Sequence, residues 1–124
     1  MAKILIVEDD HNLGMMIHDI LQMADYEVLL SKEPRETSEN IVKHGIQLVL
    51  MDKLMSGIDG TDVCKAIRNN LDISRTPVLM MSALNDAREV CIEAGATDFI
   101  YKPFELNDLL SKVKEVLKHT KPHS

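Results

Sequence analysis

Five short apolar runs punctuate the chain, at residues 3–7, 26–30, 47–51, 77–81 and 97–101. Most are continuous rather than alternating, the pattern of parallel strands covered on both faces. Between them the spacing changes from runs to stripes. Leu13, Met16, Ile17, Ile20, Leu21 and Ala24 fall on one face of a helix over residues 12–24. Leu106, Leu109, Leu110, Val113, Val116 and Leu117 do the same over residues 105–119. Weaker helical patterns cover residues 35–43, 61–69 and 87–94, and Gly45 and Gly95 stand where helix C-terminal glycines belong. The alternation predicts an α/β fold: a doubly wound (βα)₅ three-layer sandwich with helices on both faces of a parallel sheet.

In an open α/β sheet, ligands bind outside the carboxyl ends of the strands. Right-handed crossovers bring those ends to one edge. The first run ends in Glu8-Asp9-Asp10, the third in Asp52, the fourth in Ser82 and the fifth in Lys102, whereas the second ends in Ser31-Lys32 with no acid. Singly, each has a plain structural reading. The acid triplet suits a helix N-terminus, Ser82 a turn, Lys102 a solvated charge and Asp52 a turn cap. Pairing of Asp52 with Lys53 is the poorest account, because adjacent residues leaving a strand point to opposite faces. Together the residues describe chemistry. Carboxylates crowded at one edge need a cation, and hard oxygen donors suit Mg²⁺ or Mn²⁺. A lysine and a hydroxyl can hold phosphoryl oxygens, and an aspartate can be the nucleophile.

Composition narrows the rest. A length of 124 residues favours one domain, over residues 1–119, followed by a polar tail at 120–124. Fourteen basic and 20 acidic residues give a net charge of −6, which disfavours direct nucleic-acid binding by this segment. Cys64 and Cys91 make no metal-type cluster and read as reduced thiols among aliphatic residues. The eight methionines mostly occupy apolar faces, and Met15-Met16 and Met80-Met81 read as core filling. His119 and His123 read as lone tail histidines rather than ligands. No apolar run approaches the ~20 residues of a membrane span, and the N-terminus lacks a signal-peptide core. The expected location is the cytoplasm.

The motifs ILIVEDD (4–10), LVLMD (48–52), SGIDG (56–60), PVLMMSA (77–83) and GATDFIYKPF (95–104), with the closing amphipathic helix, closely resemble the receiver domain of two-component response regulators over essentially the whole chain. The resemblance implies a flavodoxin-like sheet of order 2-1-3-4-5. It makes Asp52 the phosphoacceptor, Asp9 and Glu8 the acids that hold Mg²⁺ or Mn²⁺, and Asp10 an accessory acid. The carbonyl of Leu54 would complete the metal ligands. Lys102 would contact the phosphoryl group, Ser82 and Phe99 would be the switch pair, and the Lys102–Pro103 bond would be cis. Gly57 and Gly60 would shape the loop beside the site. The implied partners are a sensor histidine kinase or histidine phosphotransfer protein and a downstream protein or fused output domain. Output would pass through the fourth helix, fifth strand and fifth helix, and the chain would not be an enzyme beyond its own phosphorylation and dephosphorylation.

Three features depart from the family pattern. Lys53 replaces a usually apolar residue. Ser56 replaces a usual proline, which predicts a looser loop. The segment from Ser82 to Lys102 is about two residues short. Two rival functions fit the sequence less well. A phosphorylation-independent interaction module would normally have lost an acid, the lysine or the hydroxyl, and none is lost. An aspartate-nucleophile phosphatase would need its acid where Gly57 stands in GIDGT.

Overall fold

The computed structural model describes residues 1–119. The tail at 120–124, with His123, lies outside the described residues, as does the His119 side chain. The main sheet consists of β1 (Lys3–Val7), β2 (Glu27–Ser31), β3 (Leu48–Asp52), β6 (Val78–Ser82) and β7 (Asp98–Tyr101). All neighbours are parallel, in the order β2-β1-β3-β6-β7. The helices are α1 (His11–Met23), α2 (Thr37–His44), α3 (Gly60–Asn69), α4 (Ala87–Glu93) and α5 (Leu106–His119). This is the expected doubly wound fold, with 2-1-3-4-5 order among the main strands.

Alternation along the strands divides the interior into two cores. One contains Leu5, Val7, Val49, Met51, Val78 and Met80, packed with Ile41, Cys64, Ile67 and Cys91 of α2, α3 and α4. The other contains Ile4, Ile6, Leu48, Leu50, Leu79 and Met81, packed with Ile17 and Leu21 of α1 and Leu109 and Val113 of α5. Successive strand residues point to opposite faces, so a strand covered on both must be apolar throughout. Every residue of β3 and of β6 is buried. Both cysteines are buried free thiols, and burial pushes Cys91 up to about 11. They have little thiolate character.

Two local features were not anticipated, and a third accompanies the short Ser82–Lys102 segment. A 3₁₀ turn at Pro34–Glu36 precedes α2. A two-stranded antiparallel hairpin, β4 (Leu54–Met55) with β5 (Ile58–Asp59), follows β3. Its two-residue turn is Ser56-Gly57, with φ of 49° and 77°. Both values are positive, as a tight hairpin turn of this kind requires. The loop at Ser56 is thus a closed hairpin rather than the looser segment expected. Finally, α4 has seven residues, the shortest of the five described α-helices.

Candidate functional site

Backbone pairing sets the site. The N–H of Lys53 donates to the Met81 carbonyl at 2.9 Å, and that of Lys102 to the Ser82 carbonyl at 2.9 Å. The N–H of Glu8 donates to the Ser31 carbonyl at 3.1 Å. These bonds continue the sheet ladder past the apolar runs, so Glu8, Asp52, Ser82 and Lys102 leave neighbouring strands at one edge.

Three of them form one cluster. The Lys102 ammonium is in direct contact with Asp52 Oδ2 and lies 3.3 Å from Glu8 Oε1. Glu8 is 1% exposed and Asp52 8%. Desolvation, then the charge of Asp52, pushes the Glu8 carboxyl up to about 7, against the opposing pull of the Asp10 N–H and Lys102. The Lys102 pKa is raised as well, which for a lysine favours the charged form. Burial works against its charge, but its hydrogen bond and attraction to Asp52, reinforced by Glu8, hold its pKa above the usual lysine value. One cation therefore serves two buried carboxyl groups and does not fully offset the desolvation of Glu8.

Asp9 stands apart from that cluster. Its Oδ2 accepts the Ser56 N–H at 2.7 Å and the Ser56 hydroxyl at 3.0 Å. Partial burial tends to raise its pKa, but these two donors and a contact with Glu8 outweigh it and hold the carboxyl below the usual aspartate value. Asp10 has a structural task. Its Oδ1 accepts the Leu13 N–H at 3.1 Å and caps α1. The capping reading therefore holds for this acid.

Lys53 does not pair with Asp52. Its ammonium meets Asp59 Oδ2 at 3.1 Å, while Asp59 Oδ1 accepts the Thr61 N–H at 2.9 Å and caps α3. The Asp52 backbone passes so close to Gly60 that a Cβ there would run into the Asp52 carbonyl oxygen. Asp52 Oδ1 accepts the Leu54 N–H at 3.2 Å. The Ser82 hydroxyl accepts the Leu84 N–H at 3.1 Å and is 5% exposed. Phe99 is buried, and the Lys102–Pro103 bond is cis. Sequence reasoning did not single out Asp59, and it marked Ser56 only as a departure from the family pattern. The signals available were a Ser-Gly turn dipeptide and an aspartate before a helix.

The donor set fits a hard divalent cation in kind: Glu8, Asp9 and Asp52 supply carboxylate oxygens, with the Leu54 carbonyl nearby in sequence. Among the described residues, however, no three acidic, histidine or cysteine side chains already converge as a metal centre. Ligands must leave Lys102 or share it for a cation to bind.

The pattern of the response regulator receiver domain matches residues 4–114. The response regulator ArlR of Staphylococcus saprophyticus is 32% identical over 120 residues, covering 95% of this chain and 53% of that protein. The chain spans about half the length of the curated relatives it matches. A crystal structure of a candidate response regulator from Chloroflexus aurantiacus superposes with a TM-score of 0.89 at 35% identity, covering 94% of this chain and 98% of that one. The receiver domain of sensor histidine kinase PA1611 from Pseudomonas aeruginosa gives 0.85 at 26% identity with the same coverages, and its structure has a magnesium ion in the active-site cleft. No described helix is long and apolar enough to cross a membrane.

Proposed function

Because this chain belongs to the response regulator receiver family, we propose that it is a phosphorylation-operated signalling switch whose phosphoacceptor is Asp52. The observation that carries the reading is the shared buried contact of Lys102 with Asp52 and Glu8 at the carboxyl edge of the sheet. A solvated strand-end acid would have neither the burial nor the paired lysine.

The donor is a phosphohistidine of a sensor histidine kinase or histidine phosphotransfer protein. A carboxylate oxygen of Asp52 attacks phosphorus, forming the O–P bond while the P–N bond breaks. The electron pair returns to the donor imidazole, which takes a proton from solvent. Lys102 then turns from the carboxylates to the phosphoryl oxygens. Glu8, Asp9, Asp52 and the Leu54 carbonyl would hold Mg²⁺, and the magnesium in the cleft of the Pseudomonas relative supports such a site. When bound, the cation neutralises charge developing on the transferred group. Positioning is the protein's main contribution, and β3 supplies it by burying the whole strand that carries Asp52.

The switch is read through Ser82 and Phe99. The Ser82 hydroxyl already accepts from Leu84, which leaves its proton free to donate to a phosphoryl oxygen. Its movement would draw on the β6–α4 loop and alter the surface made by α4, β7 and α5, shifting a two-state equilibrium there. A separate protein or a further domain reads that surface. Transfer and hydrolysis act only on the protein's own aspartate, so the role is that of a switch rather than a turnover enzyme.

Incubation with acetyl phosphate and Mg²⁺, followed by intact mass measurement, tests the reading. One added phosphoryl group, absent from Asp52→Ala, is expected. No addition, or addition that persists in that variant, would overturn it.

A further inference from the structure

Ser56 has no part in the phosphoryl-transfer reading, yet it meets Asp9 with two donors. Its main-chain N–H and its hydroxyl both reach Asp9 Oδ2, at 2.7 and 3.0 Å, across 47 positions of sequence. The contact depends on an unusual backbone. Ser56 has φ of 49° and Gly57 of 77°, closing the β4–β5 hairpin in two residues. Proline, the residue expected at this position from the family pattern, has no N–H and is locked near φ −65°. It can form neither the turn nor the first hydrogen bond.

The base of the same hairpin is fixed as well. Lys53 pairs with Asp59 across it at 3.1 Å, and the Gly60 N–H donates to the Lys53 carbonyl. Leu54, whose carbonyl is the main-chain ligand of the proposed cation, lies on its first strand. The hairpin thus ties one ligand to the body of the protein by chain connectivity and a second, Asp9, by hydrogen bonds.

We propose that Ser56 is a positioning residue for the divalent cation, fixing the Asp9 carboxylate through Oδ2 before the metal binds. The proposal rests on the metal-dependent receiver reading above and deepens it. Asp9 lies exposed just beyond β1, where its side chain would otherwise sample several rotamers. Fixing it before binding removes that ordering cost from the binding step. Outer partners that orient a ligating carboxylate commonly change metal affinity by about 10–100-fold when removed. Ser56 does not replace a metal ligand. It acts through Asp9.

The test is Mg²⁺ binding in the absence of any phosphoryl donor, measured by calorimetry or by NMR shifts of the amides at residues 8–10 and 52–57. Ser56→Gly keeps the N–H and tolerates the left-handed backbone, and it loses only the hydroxyl. Its Mg²⁺ Kd should rise a few-fold. Ser56→Pro loses both donors and the turn, and its Kd should rise by roughly tenfold or more. The melting temperature of Ser56→Gly in EDTA should stay close to wild type, which separates positioning from a loss of fold. Unchanged or tighter Mg²⁺ binding in Ser56→Gly, with the fold intact, would overturn the proposal. Failure of the wild-type chain to bind Mg²⁺ at all would instead count against the underlying receiver reading.

Discussion

Phe99 and Tyr101 meet edge to face, with ring centroids 4.8 Å apart and planes at 79°. They lie two residues apart on β7, so their side chains share one face of the sheet. Phe99 is 2% exposed and Tyr101 43%. The outer ring is tied down: the Tyr101 hydroxyl donates to the Asn85 carbonyl at 3.1 Å, in the loop between β6 and α4. That loop also receives the Ser82–Leu84 hydrogen bond. A buried aromatic is therefore joined to the β6–α4 loop through a half-exposed one.

Tyr101→Phe should remove the tie and keep the ring pair. The global cost is expected to be at most about 1 kcal/mol, because the bond is exposed to water. Local opening should change more. Amides of residues 83–87 should exchange faster in the variant, while those of β3 stay protected. Hydrogen exchange followed by NMR measures both. Equal exchange in the loop would mean that the Asn85 contact does not hold it.

The main strands were legible because they are buried on both faces, which leaves a continuous apolar run. Most of the boundaries read from sequence nevertheless stop one residue early. Apolarity ends at Met51 and Met81, whereas Asp52 and Ser82 still pair across the ladder with Met81 and Tyr101. The polar residue at a strand end is the one the site uses, so the error and the function share a cause. The cluster of Glu8, Asp52 and Lys102 followed from topology, since strand ends meet at one edge. The reach of Ser56 to Asp9 did not, because it depends on a two-residue turn and a contact distant in sequence. Asp10 was ambiguous between the metal site and a helix cap. Leu13, three residues on, was the available cue to capping.

Arg68, in the last turn of α3, fastens that helix to the far edge of the sheet. Its guanidinium donates to the Gly95 carbonyl at 2.8 Å, to Ser74 and Thr76 carbonyls at 3.1 and 2.6 Å, and to the Thr97 hydroxyl at 3.4 Å. Arg68→Ala should destabilise by about 2–3 kcal/mol, from lost charge-assisted bonds and carbonyls left without a partner. Arg68→Lys should recover less than half, since a single ammonium cannot span the fork. Urea unfolding of the three proteins checks the order.

Glu8 predicts a pH dependence that a cation should reverse. Its carboxyl, ordinarily at 4.5, is raised to about 7 in the folded chain, chiefly by desolvation and by Asp52. The folded state therefore holds this proton more tightly than the unfolded state. The resulting stability is fully present below pH 4.5 and is lost as pH rises through 7. In EDTA, this group alone should lower stability by roughly 2–3 kcal/mol between pH 5 and 8. Glu8→Gln should flatten that slope. Mg²⁺ favours the ionised carboxylate, so adding it should stabilise the wild type more at pH 8 than at pH 5. Chemical denaturation at the two pH values, with and without Mg²⁺, provides the comparison.

Lys53 and Asp59 make the opposite prediction. Although partial burial raises it, the Asp59 carboxyl is held below its ordinary 3.8 by the Thr61 N–H, the Thr61 hydroxyl and Lys53. Its contribution is present above that value and disappears as pH falls through the depressed pKa. Two interactions contribute. The cap on α3 should be the larger, with Asp59→Ala costing about 1–2 kcal/mol near neutral pH. The ion pair is partly open to solvent, with side chains 16% and 38% exposed, so Lys53→Met should cost under about 1 kcal/mol. Asp59→Asn keeps a capping oxygen and loses the charge, so it should resemble Lys53→Met in stability rather than Asp59→Ala. Melting curves at pH 7 and pH 3 separate the cases: the gap between wild type and Asp59→Ala should narrow at the lower pH. A gap that widened on acidification would show that Asp59 is not the charged anchor of this hairpin.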